Sequence, residues 1–204
     1  MDHSLFKRAI AIVSLLSLTG AARLCAQDAR RGAWMDLGLG YGSASFSCDT
    51  CTRNKRLGGW TLSGGGGGTL SPHFRLGAEL RVWLNGLKAG GAPLPGIVNL
   101  TVALSYYQRR RGGPFVMGGA GLSGYGVCKG RGDPLEPCAN DASYYEGWGW
   151  GETLGVGWDI PRGRGWFRPF LAYHHGRVPR LRLPDHATVA TGWNQDLLTI
   201  ELRF

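Results

Sequence analysis

The sequence predicts an all-β fold, an eight-stranded antiparallel up-and-down barrel that crosses a membrane, preceded by a cleaved leader. Three observations carry this. Apolar and polar residues alternate with period two in segment after segment, a pattern that only a strand sorts onto two faces. The connections between these segments alternate long and short. Charged residues make up only 18% of the chain while it holds 35 Gly and 8 Trp, a balance unlike that of an ordinary soluble α/β enzyme.

The strands follow in order. In Trp34–Gly42, Met35, Leu37, Leu39 and Tyr41 oppose Asp36, Gly38 and Gly40. Trp60–Leu70 sets Trp60, Leu62 and Leu70 against Thr61 and Ser63, with glycines between. Phe74–Asn85 alternates most cleanly: Phe74, Leu76, Ala78, Leu80, Val82 and Leu84 share one face, and Arg75, Glu79, Arg81 and Asn85 the other. Gly96–Gln108 repeats the pattern with Val98, Leu100, Val102, Leu104 and Tyr106. Pro114–Val127 groups Val116, Ala120 and Leu122. Tyr144–Ile160 groups its tryptophans with Leu154 and Val156, and places Glu152 on that apolar face, where a bulge is expected to re-aim it. Trp166–His175 turns Phe167, Leu171 and Tyr173 outward, and the last strand sets Leu198, Ile200, Leu202 and Phe204 against Thr199, Glu201 and Arg203. The long connections are Ser47–Leu57, Gly86–Pro95, Val127–Ser143 and Gly176–Gly192; the short ones are Ser71–His73, Arg109–Gly113 and Pro161–Gly165.

Soluble and membrane barrels differ in which face is apolar: inside for the first, outside for the second. The polar set here is bulky and of both signs, namely Asp36, Arg75, Glu79, Arg81, Arg168, Glu201 and Arg203, with Asn85, Asn99 and Asp159. An eight-stranded barrel is just wide enough for such side chains to fill it and pair, so these residues are expected to form a lumen charge network. Aromatics are expected in two girdles, Phe74, Tyr106, Phe115, Trp166 and Phe167 near the short turns, and Tyr41, Trp60, Trp148 and Trp193 near the long loops.

Residues 1–26 read as a signal peptide: Lys7 and Arg8, then the apolar run Ala9–Leu18, then small residues ending at Ala26. Residues 27–204 form the barrel domain. Arg23 and Leu24 before Cys25 do not suit a lipoprotein processing site. Cys48, Cys51, Cys128 and Cys138 remain, an even number in an exported chain, which favours disulfides. A bridge within each loop, a pairing between loops, and a four-thiolate zinc site with too wide a second half are the alternatives.

In its leader, its alternation and its terminal LLTIELRF, the chain resembles the small eight-stranded outer-membrane barrels of the OmpA/OmpX kind. The resemblance implies a Gram-negative outer-membrane location. It also implies an aromatic-ended C-terminal signal, Leu198, Ile200, Leu202 and Phe204, read by the barrel-assembly machinery. Outer-membrane lipid and lipopolysaccharide are the expected surroundings. Loops 127–143 and 176–192 are the expected places for a surface ligand, and Arg53, Lys55 and Arg56 are cations within reach of lipopolysaccharide phosphates. The expected role is structural or interactive, a filled barrel displaying stapled loops; a narrow porin-like channel and a lipid-modifying enzyme are the alternatives.

No catalytic, cofactor or metal residues are expected. Gly119–Gly124, GAGLSG, has dinucleotide-turn spacing, but the following YGVCKGRGDPLEPC lacks the helix that would bind the pyrophosphate. These glycines, like Gly64–Gly68, read as wall positions that leave room for large neighbours. His174 and His175 point to opposite faces. The HHGR stretch lacks the serine and asparagine of the His-x-Ser-Asn motif of similar lipid A deacylases. The net charge of +9 comes without a Lys/Arg-rich helix, so nucleic acid is not an expected partner.

Overall fold

The structure is a computed structural model that describes residues 32–49, 55–85, 96–128, 144–162, 165–182 and 188–204. They form eight strands: β1 (Ala33–Ser47), β2 (Lys55–Ser71), β3 (Phe74–Leu84), β4 (Gly96–Tyr107), β5 (Gly113–Cys128), β6 (Tyr144–Arg162), β7 (Gly165–Arg182) and β8 (Thr188–Arg203). Each pairs antiparallel with the next, and β8 pairs with β1 to close the barrel. Closure removes the free strand edges that would otherwise leave backbone groups unpaired. The last residue completes the seam: Phe204 N donates to Leu37 O at 2.9 Å, and Leu37 N donates to Phe204 O at 3.1 Å.

Alternation in the sequence becomes alternation in burial. Along β4, Thr101, Ala103, Ser105 and Tyr107 are buried, while Leu100, Val102, Leu104 and Tyr106 are exposed. Leu37, Leu154 and Ile200 are each about two-thirds exposed, whereas Arg81 and Glu201 are each 1% exposed. The apolar face is the exterior and the ionic face the interior, the arrangement of a barrel solvated by lipid.

Two short turns show how the chain reverses. At Ser71–Phe74, the Ser71 hydroxyl accepts hydrogen bonds from the backbone N–H of His73 and Phe74, at 3.3 and 3.2 Å. At the entry to β5, Gly112 and Gly113 hold φ of 62° and 90°, conformations that favour glycine.

The interior is layered. Near the short turns, Ala103, Tyr107, Phe115, Met117, Phe170 and Ala172 cluster. Charged and polar groups lie among these rings and above them, with Arg75 over Tyr107 and Arg168 over Phe115. At the long-loop end a larger apolar cluster, centred on Phe46, Trp83, Tyr125 and Trp193, caps the barrel. Inward glycines make room for these rings. A Cβ at Gly157 would run into the Phe115 ring and lie 2.9 Å from Phe170 Cδ2. Gly157→Leu is therefore expected to lower barrel stability by roughly 1–3 kcal/mol through overpacking, read as a lower urea midpoint for loss of the fast-migrating folded band on gels.

Several expectations need correction. Phe115 and Trp193 are 4% and 1% exposed and belong to the interior clusters, not to exterior girdles. The segment 176–192 is not one long loop. β7 continues to Arg182 and β8 begins at Thr188, with Val178 paired to Trp193 and Arg180 to Thr191. The extension is stabilised by Val178, Leu181, Ala190 and Trp193, which pack into the outer cap. No bulge re-aims Glu152: it is in register with Ala120 and His175 and points outward. The leader at 1–26, with Cys51, Cys138 and Arg53, lies outside the described residues.

Candidate functional site

The barrel interior concentrates the molecule's buried ionic chemistry. Asp36, Glu79, Asp159 and Glu201 supply four carboxylates, and Arg75, Arg81, Arg168 and Arg203 supply four guanidinium groups, all buried. Their formal charges cancel. Strand pairing brings them together: Arg81 comes from β3, Arg168 from β7, and Glu201 and Arg203 from the inward positions of β8.

Glu201 lies at the centre. Its carboxylate accepts from Arg81 Nε at 2.6 Å, Arg203 Nε at 3.0 Å, Ser63 Oγ at 2.8 Å and Thr199 Oγ1 at 3.0 Å. Arg81 Nη2 also reaches Glu79 at 3.2 Å, and Arg203 Nη1 donates to the other Glu79 oxygen. His174 closes this layer between Arg81 and Thr153 Oγ1, with Nδ1 2.6 Å from the hydroxyl. A guanidinium only donates, so Nε2 accepts from Arg81 and Nδ1–H points to Thr153.

A second group lies closer to the short turns. Arg168 Nη1 donates to Asp36 at 2.6 Å, and its Nε donates to Asp159. Here the cations lie over aromatic faces: Arg203 is 3.8 Å from the Phe170 ring centroid, Arg168 5.2 Å from Phe115, and Arg75 5.1 Å from Tyr107. Toward the long loops the layer is neutral: Ser123 donates to Asn99 at 2.5 Å, and Gln195 Nε2 donates to Ser123 Oγ at 2.7 Å. The cavity among Trp34, Asp36, Glu79, Arg168 and Arg203 measures about 10 Å³, near the volume one water needs. Each level is held by side chains from non-neighbouring strands.

All eight charged residues singled out from the sequence, Asp159 included, lie in this interior, and so does Asn99. His174, Thr153, Ser123 and Gln195 join them there; each occupies an inward position on its strand, and that parity is the signal that marks them. The C-terminal residues Leu198, Ile200, Leu202 and Phe204 face outward, Phe204 with its ring 5.9 Å from Phe167. Cys48 follows β1 and packs against the outer apolar cluster, and Cys128 ends β5. Outside, Phe74 and Tyr106 pair near the short turns, and Tyr41 meets Trp60 edge-on near the loops.

A closed eight-stranded antiparallel barrel, apolar outside and ionic inside, defines the class of small outer-membrane β-barrels. Solved structures with this fold include two outer-membrane proteins. Neisserial surface protein A is 13% identical, with a TM-score of 0.54 and coverage of 84% of this chain and 97% of that one. Ail, the attachment invasion locus protein of Yersinia pestis, solved with the heparin analogue sucrose octasulfate, is 10% identical, with a TM-score of 0.50 and coverage of 85% and 99%. At such identities the likeness is one of fold. No family model matches the chain, and no curated protein does.

Proposed function

We propose that the protein is a non-conducting scaffold of the outer membrane that displays its connecting loops for surface interactions. The interior carries this reading. Charges that cancel, each tied to opposite charges or capped by aromatic faces, leave no continuous aqueous path, and an apolar cluster closes the barrel at the long-loop end. The loop cysteines staple the display, and the aromatic-ended last strand is the segment that the assembly machinery reads. Lipopolysaccharide surrounds the outer half. No catalytic role is assigned to any residue.

Planar-bilayer recording of the refolded barrel tests this against the narrow-channel reading. The expected result is the absence of discrete conductance steps at concentrations where a porin control gives them. Reproducible steps from the wild-type protein would overturn the scaffold reading.

A further inference from the structure

The exterior of β6–β8 breaks the rule that the rest of the wall obeys. Strand register places Ala120, Glu152, His175 and Asp196 side by side in one outward row. The next row, farther from the short turns, is Leu122, Trp150, Arg177 and Asn194. Ionisable side chains on the lipid face are unfavourable, least so near the interface. His175 is ten residues beyond the start of β7. At about 2.5 Å of height per tilted strand residue it stands roughly 25 Å above the short turns, the height at which the apolar band ends.

The polar groups are organised around one oxygen. Asp196 Oδ1 accepts from the Tyr173 hydroxyl and lies 2.7 Å from His175 Nδ1. Arg177 Nε donates to His175 Nε2 at 3.1 Å. This uses one carboxylate oxygen of Asp196 and one nitrogen of Arg177. The exposed guanidinium end of Arg177 and the carboxylate of Glu152 have no partner among the described residues.

Directly below runs an apolar groove of about 470 Å³, lined by Gly118, Leu154, Val156, Leu171, Tyr173 and Leu198. Its floor exists because Gly118 has no side chain: the nearest atom to a Cβ there would be Leu154 Cδ2, at 3.8 Å. Tyr173 belongs to both features, with its ring lining the groove and its hydroxyl on Asp196. An amphiphile with one end in each is the ligand such a junction fits.

We propose that this junction binds one phosphorylated glucosamine lipid of the outer leaflet. An acyl chain lies over Gly118, a phosphate meets the Arg177 guanidinium, and sugar hydroxyl or amide donors meet Asp196 Oδ2 and Glu152. The phosphate accounts for the cation, and the donors account for two acceptors that a bare anion would avoid. This inference goes beyond the scaffold reading and does not depend on whether the lumen conducts.

Native mass spectrometry of the mature barrel released from detergent tests it. The probes are bisphosphorylated lipid A, dephosphorylated lipid A and phosphatidylethanolamine at equal concentration. The expected result is a one-to-one adduct with bisphosphorylated lipid A, at least fivefold more abundant than with the other two. Arg177→Ala and Gly118→Leu, each verified as folded by heat-modifiable migration, should reduce it at least fivefold. Arg110→Ala, in the opposite turn, should not. Equal adducts for all three lipids would mean ordinary annular lipid and overturn the proposal. So would variants that bind like the wild type, or a dimer in place of the lipid adduct.

Discussion

Replacing Arg81 with alanine is expected to destabilise the barrel by about 3–5 kcal/mol, because it leaves buried carboxylates with too little compensating charge. Arg81 is 1% exposed, bonds Glu201 and Glu79 and donates to His174. Without it, Arg203 alone faces both glutamates, and water cannot fill in for the lost cation without opening a packed interior. The double replacement Arg81→Met, Glu201→Leu removes a cation and an anion together. It should recover most of the loss, since a well-packed apolar pair is often as stable as the ion pair it replaces. Urea titrations of vesicle-embedded protein, followed by the shift of the folded band, measure both. Equal stability of wild type and Arg81→Ala would show that the network is not a structural plug. A double variant no better than the single would point to packing instead of charge. The plug is also expected to be insensitive to salt, because groups this deep lie beyond the reach of mobile ions.

The lumen network was legible because parity is a local property. Once a strand's outward residues are known, every second residue between them points inward, so Glu79, Arg81 and Glu201 could be placed without coordinates. The same rule explains two misplacements. Phe115 is adjacent to outward Val116, and Trp193 is an odd number of positions from outward Leu198, so parity alone puts both inside. The expectation of girdles overrode it, because an aromatic ring serves equally well at a membrane interface and in an interior plug.

What a single strand cannot reveal lies between strands. Glu152 looked like an error of phase on an apolar face. Only cross-strand register, with His175 and then Asp196 beside it, turns the anomaly into a polar row. The length of β7 and β8 was hidden for a related reason. Beyond His175 the barrel rises past the apolar band and the polarity of the two faces inverts, with Val178 buried in the outer cap and Arg177 and Arg180 exposed, so the apolar-outside pattern ends although the pairing continues.

Val102→Arg is the test of which face meets lipid. Val102 is 61% exposed, on the outer face of β4 and about midway along it. Arginine at the bilayer midplane is expected to cost about 2–4 kcal/mol, falling to about 0–1 kcal/mol near an interface. Val98→Arg, four residues nearer the long loops on the same face, supplies that comparison. Both substitutions add the same side chain to the outer face of the same strand, so strand propensity contributes alike. Depth in lipid is the variable that separates them. Equilibrium unfolding in vesicles should therefore show a loss for Val102→Arg several times that for Val98→Arg. A barrel solvated by water outside would gain or lose little from either, since both positions lie on the outer face, where an arginine head reaches water. Two small and equal effects would thus remove the lipid-facing assignment, and with it the reason for this chain to place its charges inside.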